Sequence, residues 1–279
     1  MRILIIGSGY VGTRCAQSWA DAVVADGRIN SESDAINILE KYQPDAVLNA
    51  AAITGKPNVD WCETHQFETI QGNVTLPVNI AKACAVKKTY LLHIGTGCIF
   101  YGKAPDGIGW KEEDFANPES MYSKSKYAAD LLLSTLENIG IARIRLPADS
   151  IPSEKNLINR FAKYKTILDV ENSITVIEDM VRIFRQLLEL KGQGIFHCTQ
   201  KGSILYRDFI DLYRKYVDPT AEKEFITEEE LLKRGLALKN RATNVLQSFN
   251  LEKLGLEMRP TKEILTETLQ KYAAASGQY

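Results

Sequence analysis

Several features that define other classes of protein are scarce or missing in this sequence. No apolar run approaches the ~20 residues that a membrane-spanning helix needs, and 34 basic against 35 acidic residues leave a formal net charge of −1. That balance gives no electrostatic basis for binding nucleic acid or an anionic membrane surface. The five cysteines form no CxxC pair, which favours reduced thiols and a cytoplasmic location. The three histidines are isolated from one another, so no metal site is predicted.

The first half of the chain instead shows an alternation of apolar strands and helices. With 279 residues and 45% hydrophobic content, the chain is long enough for a sizeable core. Strands that alternate with helices are typical of crossover units, so we predict an α/β, Rossmann-type doubly wound parallel sheet. The predicted strands cover 2–6, 22–25, 45–50, 89–94 and 141–146, and the predicted helices cover 13–20, 31–42, 73–87 and 121–138.

Beyond Pro147 this alternation weakens. Helical patterns remain at 156–164, 178–190, 206–217 and 227–234, and a returning strand is predicted for 194–199. We therefore divide the chain into a dinucleotide-binding domain, residues 1–150, and a smaller substrate-binding portion, residues 151–279. The second portion is predicted to be partly interleaved with the first.

A glycine-rich turn follows the first predicted strand and opens a helix. The segment Gly7-Ser8-Gly9-Tyr10-Val11-Gly12 is a GxGxxG motif, which permits a tight turn and brings backbone N–H groups close to a pyrophosphate. Asp26 ends the second predicted strand, where an acid binds adenosine ribose hydroxyls, whereas Arg28 suits the 2′-phosphate of NADP. We expect dinucleotide binding, with NADPH favoured and NADH as the alternative. A glycine turn without a ligand is the other explanation of the motif.

Residue types suited to oxidoreduction follow the fourth predicted strand. Thr96 and Cys98 lie at its carboxyl end and point to the same side of an extended chain. Tyr122 and Lys126 are four apart and share one face of the next predicted helix. A neighbouring ammonium stabilises tyrosinate and brings the tyrosine pKa of ~10 toward the operating pH. Thr96 can then hold a carbonyl oxygen while Tyr122 protonates it, although Tyr122 and Lys126 can also be ordinary helix residues.

This combination resembles the extended branch of the short-chain dehydrogenase/reductase superfamily. Within that branch, 49-NAAAITGKPNVDWCE-63 resembles the dTDP-4-dehydrorhamnose reductase family, and more specifically its plant and viral bifunctional nucleotide-4-keto-6-deoxyglucose 3,5-epimerase/4-reductases. The similarity covers nearly the whole chain, through 95-GTGCIFYG-102, 107-GIGWKEED-114, 122-YSKSK-126, 143-RIRLP-147, 172-NSITV-176 and 241-RATN-244. The resemblance implies an NAD(P)-dependent oxidoreductase that reduces a nucleoside-diphosphate 4-keto-6-deoxy sugar in rhamnose biosynthesis.

The resemblance also assigns further residues to the two ligands. It implies that Lys126 also binds the nicotinamide ribose. On the cofactor side it places Ala50, Ala51, Ala52 and Pro147 along the ligand and Asn73 in support of the site. A helix N-cap is the alternative for Asn73. On the sugar side it places Thr54, Gly55, Asn58, Asn156, Arg160, Arg241 and Asn244. An arginine at position 241 suits a diphosphate because a guanidinium binds phosphate oxygens bidentately, although a surface arginine is the alternative.

Two residues decide whether epimerisation accompanies reduction. A 4-keto group acidifies the hydrogens on both neighbouring carbons. In the bifunctional relatives, and in the similar GDP-fucose synthase, a cysteine at the Cys98 position is linked to epimerisation. Those relatives also carry a lysine, the proposed proton partner, where this chain has Arg160, and arginine is a very poor proton donor. A buried Cys98 can also be just a small apolar residue, so we predict the 4-reductase and leave epimerisation open.

Two other functions are compatible with the same fold. One is a non-catalytic dinucleotide-binding regulatory subunit, because the regulatory subunit of methionine adenosyltransferase resembles this reductase family and fold alone does not determine function. The other is a reductase or epimerase of another nucleotide sugar. Extended relatives often dimerise through helices like those at 73–87 and 121–138, so the resemblance implies a homodimer.

Overall fold

The computed structural model describes residues 1–276, in which six parallel strands form a central sheet. In chain order the strands are β1 (Ile3–Ile6), β2 (Ala22–Val24), β3 (Ala46–Asn49), β4 (Tyr90–Thr96), β5 (Ile139–Ile144), β6 (Pro147–Ala148), β7 (Thr166–Leu168), β8 (Glu171–Asn172), β9 (Thr175–Val176), β10 (Gly194–His197), β11 (Ile204–Leu205) and β12 (Glu224–Ile226). The central sheet has the order β10-β5-β4-β3-β1-β2. The predicted α/β, doubly wound parallel sheet is therefore confirmed.

Helices cover this sheet and build the region beyond it. In chain order they are α1 (Tyr10–Ser18), α2 (Glu32–Tyr42), α3 (Trp61–Thr64), α4 (Gln66–Ile70), α5 (Leu76–Lys87), α6 (Met121–Leu133), α7 (Leu157–Lys163), α8 (Ile177–Leu190), α9 (Tyr206–Tyr216), α10 (Glu228–Lys233), α11 (Phe249–Lys253) and α12 (Thr261–Ser276). At the start of α2, Ser31 and Asp34 each accept the other's backbone N–H and form a capping box. Within residues 1–276, no helix is long and apolar enough to cross a bilayer.

One helical segment differs from its prediction. We predicted helix over 73–87, but helical backbone begins earlier, at α4, and continues through a π-helical turn, Gln71–Thr75, into α5. Asn73 therefore lies inside a helical segment and not at its start, so the N-cap explanation of this residue is wrong. Single π-helical turns are frequent at functional sites, and Asn73 lies within this one.

β1 and β3 are buried at every residue, which explains their mainly apolar sequences, whereas the edge strand β2 is partly exposed. One face packs against α1 and α8, with Cys15, Ile177 and Phe184 among the buried side chains. The other face packs against α2 and α5, where Leu39 and Ile80 are buried. Two helical layers around one sheet leave the carboxyl ends of the strands as the edge at which ligands bind in such folds.

A second core lies beyond the sheet. It is enclosed by α7, α9 and α12, and includes Phe161, Phe209 and Leu265. However, α8 and β10 return to the central sheet, where β10 pairs with β5. The sheet thus takes residues from both sides of position 150, and the division into 1–150 and 151–279 stays a prediction.

A buried ion pair links α6 to β5. Arg143 Nε donates to Asp130 Oδ2 at 2.8 Å, and the two side chains are 1% and 0% exposed. Removing one partner leaves an uncompensated charge in the core. We expect Arg143→Met to lower the free energy of unfolding by about 3–5 kcal/mol, as measured by urea denaturation.

The matched control is the exposed pair of Lys82 and Glu32, whose charged atoms are 3.3 Å apart. Lys82→Met should change the free energy of unfolding by no more than about 1 kcal/mol, because exposed pairs are solvated and screened by salt. Equal losses from Lys82→Met and Arg143→Met would contradict the assignment of a structural role to the buried pair.

Candidate active site

The glycine turn lies where the strand order of the sheet reverses. β1 has β2 on one side and β3 on the other, so the segments after β1 and β3 flank a crevice at the switch point. Gly7 has a φ of 106°, and a Cβ there would lie 2.6 Å from the backbone nitrogen of Ala51. At Gly12, a Cβ would lie 2.1 Å from the Gly7 carbonyl oxygen. Glycine at both positions therefore lets the turn pack directly against the end of β3.

Gly9 differs from these two, because a Cβ at this position would meet no protein atom within 4 Å. It is the N-cap of α1, where unpaired N–H groups and the helix dipole attract a phosphate. The open space at this helix start therefore fits a pyrophosphate. Tyr10 and Val11, which begin the helix, face elsewhere. The Tyr10 hydroxyl donates to Asp149 at 3.2 Å, and Val11 packs against the core.

Asp26 and Arg28 lie just after β2, and both are exposed. Lys41 donates to both carboxylate oxygens of Asp26 at 2.8 Å, and the Tyr42 hydroxyl donates to one of them at 2.6 Å. These hydrogen bonds lower the pKa of Asp26, and the bond from Lys41 makes the largest contribution. The end of β2 therefore presents two cations, Lys41 and Arg28, beside one acid. Sequence reasoning missed Lys41 because only the folded chain brings it to Asp26.

Asn73 holds the segment that follows β3. Its Oδ1 accepts from the Ile53 N–H at 2.8 Å, and its Nδ2 donates to the Ile53 carbonyl at 3.0 Å and to Ser125 Oγ at 3.0 Å. The side chain thus connects the segment containing Ala50–Ala52 to α6, the helix that carries Tyr122 and Lys126. Ala50 and Ala51 are half-buried and Ala52 is exposed.

Thr96, Cys98 and Tyr122 come together where β4 meets the start of α6. Thr96 ends β4, and its hydroxyl accepts from the Cys98 N–H at 3.1 Å. The Ser123 hydroxyl donates to the Cys98 carbonyl at 2.7 Å and ties α6 to this turn. Burial raises the pKa of Tyr122, the Cys98 charge adds to the rise, and a hydrogen bond with Thr96 opposes it. The predicted lowering of the Tyr122 pKa by Lys126 is therefore wrong for the protein alone. The phenol keeps its proton and can act as a donor.

Lys126 lies one turn after Tyr122 on α6 and is buried, with an exposed fraction of 2%. Its Nζ donates to the Ile94 carbonyl at 2.8 Å and lies 3.1 Å from His93 Nε2. Burial lowers the pKa of Lys126 to about 8, against an opposing contribution from Asp130. Such an amine exchanges its proton near neutral pH.

Arg145 is a site residue that sequence reasoning missed. It follows β5 directly, and its Nη1 donates to Cys98 Sγ at 2.8 Å. Its Nη2 donates to Asn172 Oδ1 at 2.6 Å and also to the Ala242 carbonyl. The sequence signal for Arg145 was its charge, because it lies in the predicted apolar strand 141–146. This contact places a cationic hydrogen-bond donor directly on the Cys98 sulfur.

Asn172 extends this contact to a buried phenol. Its Nδ2 donates to the Tyr206 hydroxyl at 3.0 Å. Burial raises the pKa of Tyr206, whereas the charges of Arg145 and then Arg160 lower it. Arg160, on α7, is half-buried with its guanidinium carbon 5.9 Å from the centre of the Tyr164 ring. Arg145 and Arg160 therefore both act on the Tyr206 phenol through their charges.

The predicted sugar-side residues fall into two groups. Arg241 forms a bidentate ion pair with Asp60, with both distances 2.8 Å, and this pair joins the segment containing Thr54, Gly55 and Asn58 to the second half of the chain. The other group, Asn156 and Asn244, donates hydrogen bonds to backbone carbonyls. Asn244 Nδ2 donates to the carbonyls of the turn that holds Cys98, at 3.0 and 2.7 Å. Asn156 is the N-cap of α7 and also binds the segment before that helix.

Pro147 lies in β6, which pairs with β9 and leads away from the end of β5. It is half-buried, one residue beyond Leu146, whose φ is 42°. Across residues 1–276, no three His, Cys, Asp or Glu side chains are grouped so as to hold a metal ion.

A parallel sheet with a hydroxyl, a phenol and an amine at the carboxyl ends of its strands is the arrangement of the short-chain dehydrogenases/reductases, and this protein is an oxidoreductase of that class. The family model described as RmlD substrate binding domain matches residues 1–274, and the chain belongs to that family.

Known relatives agree with this assignment. The chain is 33% identical over 263 residues to the bifunctional dTDP-4-dehydrorhamnose 3,5-epimerase/dTDP-4-dehydrorhamnose reductase of Arabidopsis thaliana, covering 92% of this chain and 87% of that protein. Among solved structures, the UDP-rhamnose synthase of Acanthamoeba polyphaga mimivirus has a TM-score of 0.90 at 24% identity, over 97% of this chain and 99% of that one. The dTDP-4-dehydrorhamnose reductase of Bacillus anthracis, solved in complex with NADP, has a TM-score of 0.80 at 20% identity, over 97% and 98%.

Proposed function

We propose that this protein uses NADPH to reduce the 4-keto group of a nucleoside-diphosphate 4-keto-6-deoxy sugar, as a reductase of rhamnose biosynthesis. The observation that carries the proposal is that Thr96 ends β4 in hydrogen-bonding contact with Tyr122, while Lys126, one turn further along α6, binds the backbone of β4. The activities of the similar Arabidopsis and mimivirus proteins support this substrate class. A nucleotide-binding fold without chemistry would not need a phenol and a buried amine, both with a shifted pKa, one turn apart on α6.

The chain's own residues offer a place for each part of the cofactor. The start of α1 at Gly9 suits the pyrophosphate. Arg28 and Lys41 suit a 2′-phosphate, and Lys41 already neutralises Asp26, so the acid does not repel that group. This charge arrangement favours NADPH over NADH. When bound, NADPH supplies the hydride.

Protonation of the ketone oxygen is then the task of the protein. Tyr122 donates the proton, because burial keeps its phenol protonated. Thr96 orients the same oxygen through its hydroxyl. Lys126, as an ammonium, stabilises the tyrosinate that remains and so lowers the cost of the transfer. On the sugar side, Arg241 is proposed to bind the diphosphate, and Asp60 holds its guanidinium in place until then.

We propose epimerisation as a second activity of the same site, because Arg145 donates a hydrogen bond to the Cys98 sulfur. In this scheme the Cys98 thiolate removes a proton from a carbon next to the ketone, and the electron pair of that C–H bond moves onto the ketone oxygen as an enolate. A proton returned to the other face of the carbon completes the inversion. Arg160 stabilises the enolate but does not donate that proton. The proton comes from Tyr206 or from water.

The assay that tests the proposed reductase is the loss of NADPH absorbance with dTDP- or UDP-4-keto-6-deoxyglucose as substrate, with the sugar product identified by NMR. We expect NADPH consumption and a 6-deoxyhexose with a hydroxyl at carbon 4. Tight NADPH binding without turnover of either sugar would instead support the non-catalytic binding subunit. If only a different 4-keto nucleotide sugar is turned over, the assigned substrate would change but the proposed reduction would still be supported.

We also propose that the protein acts as a homodimer in the cytoplasm. Exposed apolar side chains on α4 and α6 support the dimer, with Phe67 86% and Leu132 51% exposed. The free state of all five cysteines supports a reducing compartment. A monomeric mass by sedimentation equilibrium at micromolar protein would contradict the dimer.

A further inference from the structure

Two side chains connect the Tyr206 phenol of α9 to the Cys98 sulfur. Arg145 Nη1 donates to Cys98 Sγ at 2.8 Å, and its Nη2 donates to Asn172 Oδ1 at 2.6 Å. Asn172 Nδ2 donates to the Tyr206 hydroxyl oxygen at 3.0 Å. The sulfur and the phenol therefore lie at the two ends of one bridge, which consists of a guanidinium and an amide.

Donor and acceptor roles along this bridge are determined at Asn172. Arg145 Nη2 and the Asn244 N–H, which lies at 3.0 Å, both meet the same atom of the Asn172 side chain. A guanidinium and a backbone N–H can only donate, so that atom is the amide oxygen and the NH₂ group faces Tyr206. The Tyr206 oxygen is thus the acceptor of their bond, and its own proton is not used by Asn172.

The proton of the Tyr206 hydroxyl is available for a transfer. Across residues 1–276, this hydroxyl donates to no protein acceptor. Burial raises the pKa of Tyr206, so the phenol is protonated at neutral pH. The ring packs edge-on against Phe161, with the ring centres 4.8 Å apart, and this contact fixes the direction of the hydroxyl.

We infer that Tyr206 is the acid that completes the proposed epimerisation, and that Asn172 is the positioning residue that keeps its proton available. The inference rests on the proposed second activity of the site and selects Tyr206 over water. The Cys98 thiolate takes a proton from one face of a carbon beside the ketone, so an S–H bond forms as the C–H bond breaks and its electron pair moves onto the ketone oxygen. The enolate then forms a new C–H bond on the other face with the Tyr206 proton, and the O–H bond breaks to leave tyrosinate.

Two arginines stabilise the tyrosinate that this step leaves. Burial opposes the charged phenol, whereas the charges of Arg145 and then Arg160 lower the pKa of Tyr206. One proton that passes from the Cys98 thiol to solvent, and one that passes from solvent to Tyr206, restore both groups without another reactant. Arg160 therefore supports the return of the proton without donating one.

Hydrogen exchange and inversion report on the two residues separately. The assay incubates nucleotide-linked 4-keto-6-deoxyglucose with the protein in heavy water and resolves the epimers at carbons 3 and 5 by NMR. NADP⁺ replaces NADPH, so no reduction follows. In Tyr206→Phe, Cys98 still removes the proton, exchanges it with solvent and returns deuterium to the same face. We expect deuterium to enter the starting epimer while inversion falls by about 10²-fold or more.

Asn172→Asp engages the proton of Tyr206 and keeps the phenol. A carboxylate still accepts from Arg145, but it also accepts from the Tyr206 hydroxyl. We expect inversion to fall by about tenfold or more, because the proton must first leave a bond to a charged acceptor, while the starting epimer still gains deuterium. The matched control is Tyr213→Phe, which removes one hydroxyl from another buried tyrosine of α9 and should keep both exchange and inversion.

The outcomes separate the inference from the proposed function. Inversion as fast in Tyr206→Phe as in Tyr213→Phe would overturn the inference and assign the proton to water. Inversion at the wild-type rate in Asn172→Asp would overturn the role of the free proton. Loss of exchange together with inversion, in a Tyr206→Phe protein that unfolds at the wild-type temperature, would also contradict a phenol that acts only in the return step. Wild-type protein that oxidises NADPH but neither exchanges nor inverts the sugar would refute the proposed epimerisation, and the inference with it, and leave the reductase.

Discussion

Tyr122→Phe should reduce kcat for the 4-keto sugar by about 10²–10⁴-fold, the usual range for loss of a positioned general acid. The substitution removes one hydroxyl from a half-buried ring and leaves the helix and its neighbours in place. KM and NADPH binding should change little, because neither the glycine turn nor the Arg241 pair is altered. The measurement is a steady-state assay of NADPH oxidation, with cofactor binding followed separately by fluorescence.

The matched control for this prediction is Tyr127→Phe. Tyr127 lies on the same helix, and its hydroxyl accepts from the Ala116 N–H at 3.2 Å, away from Thr96 and Cys98. We expect kcat within about twofold of wild type for this variant, because the loss of one neutral hydrogen bond away from Thr96 and Cys98 has a small effect. A Tyr122→Phe enzyme that turns over as fast as Tyr127→Phe would show that another group protonates the ketone.

The fold was largely predictable because its local and global signals agree. β1 and β3 are buried, mainly apolar runs, and α2 starts at a capping box. The helix α12 was not predicted because its buried face contains Thr261 and Thr268. Polar residues on a buried face weaken the apolar period on which sequence reasoning depends.

The site was less predictable than the fold. Tyr122 and Lys126 are adjacent on one helix, so their spacing alone indicates a shared face. Arg145 directly follows β5 and contacts Cys98, whereas His93 lies on β4 and contacts Lys126, and only the folded chain creates these contacts. Sequence spacing has no signal for contacts of this kind.

Three asparagines illustrate the same limit. Asn73, Asn156 and Asn244 were assigned to ligands by resemblance, and in the structure each bonds to the backbone of a neighbouring segment. A side-chain amide offers a donor and an acceptor, so it satisfies backbone groups that lack a partner in a strand. Whether any of them also contacts a ligand stays a proposal, and these contacts indicate that all three shape the segments around it.

Cys98→Ser should abolish hydrogen exchange at the carbons beside the ketone while reduction continues. A serine hydroxyl is a far weaker acid than a thiol, so it supplies no base at neutral pH even with Arg145 beside it. In heavy water, the wild-type protein should place deuterium at carbons 3 and 5 of the nucleotide-linked 4-keto-6-deoxyglucose. We expect the variant to lose this exchange by about 10²-fold or more, as measured by NMR.

Reduction must be tested separately, with the already epimerised 4-keto sugar as substrate. Cys98→Ser should reduce that substrate at a rate close to wild type, because Thr96, Tyr122 and Lys126 are intact. Cys84→Ser, at a buried position on α5 away from the site, is the control for the chemical change and should keep both activities. Arg145→Met should also lower exchange, because the Cys98 sulfur then loses its hydrogen-bond donor. Exchange that persists in Cys98→Ser would leave Arg145 as a structural residue and assign the base to another group.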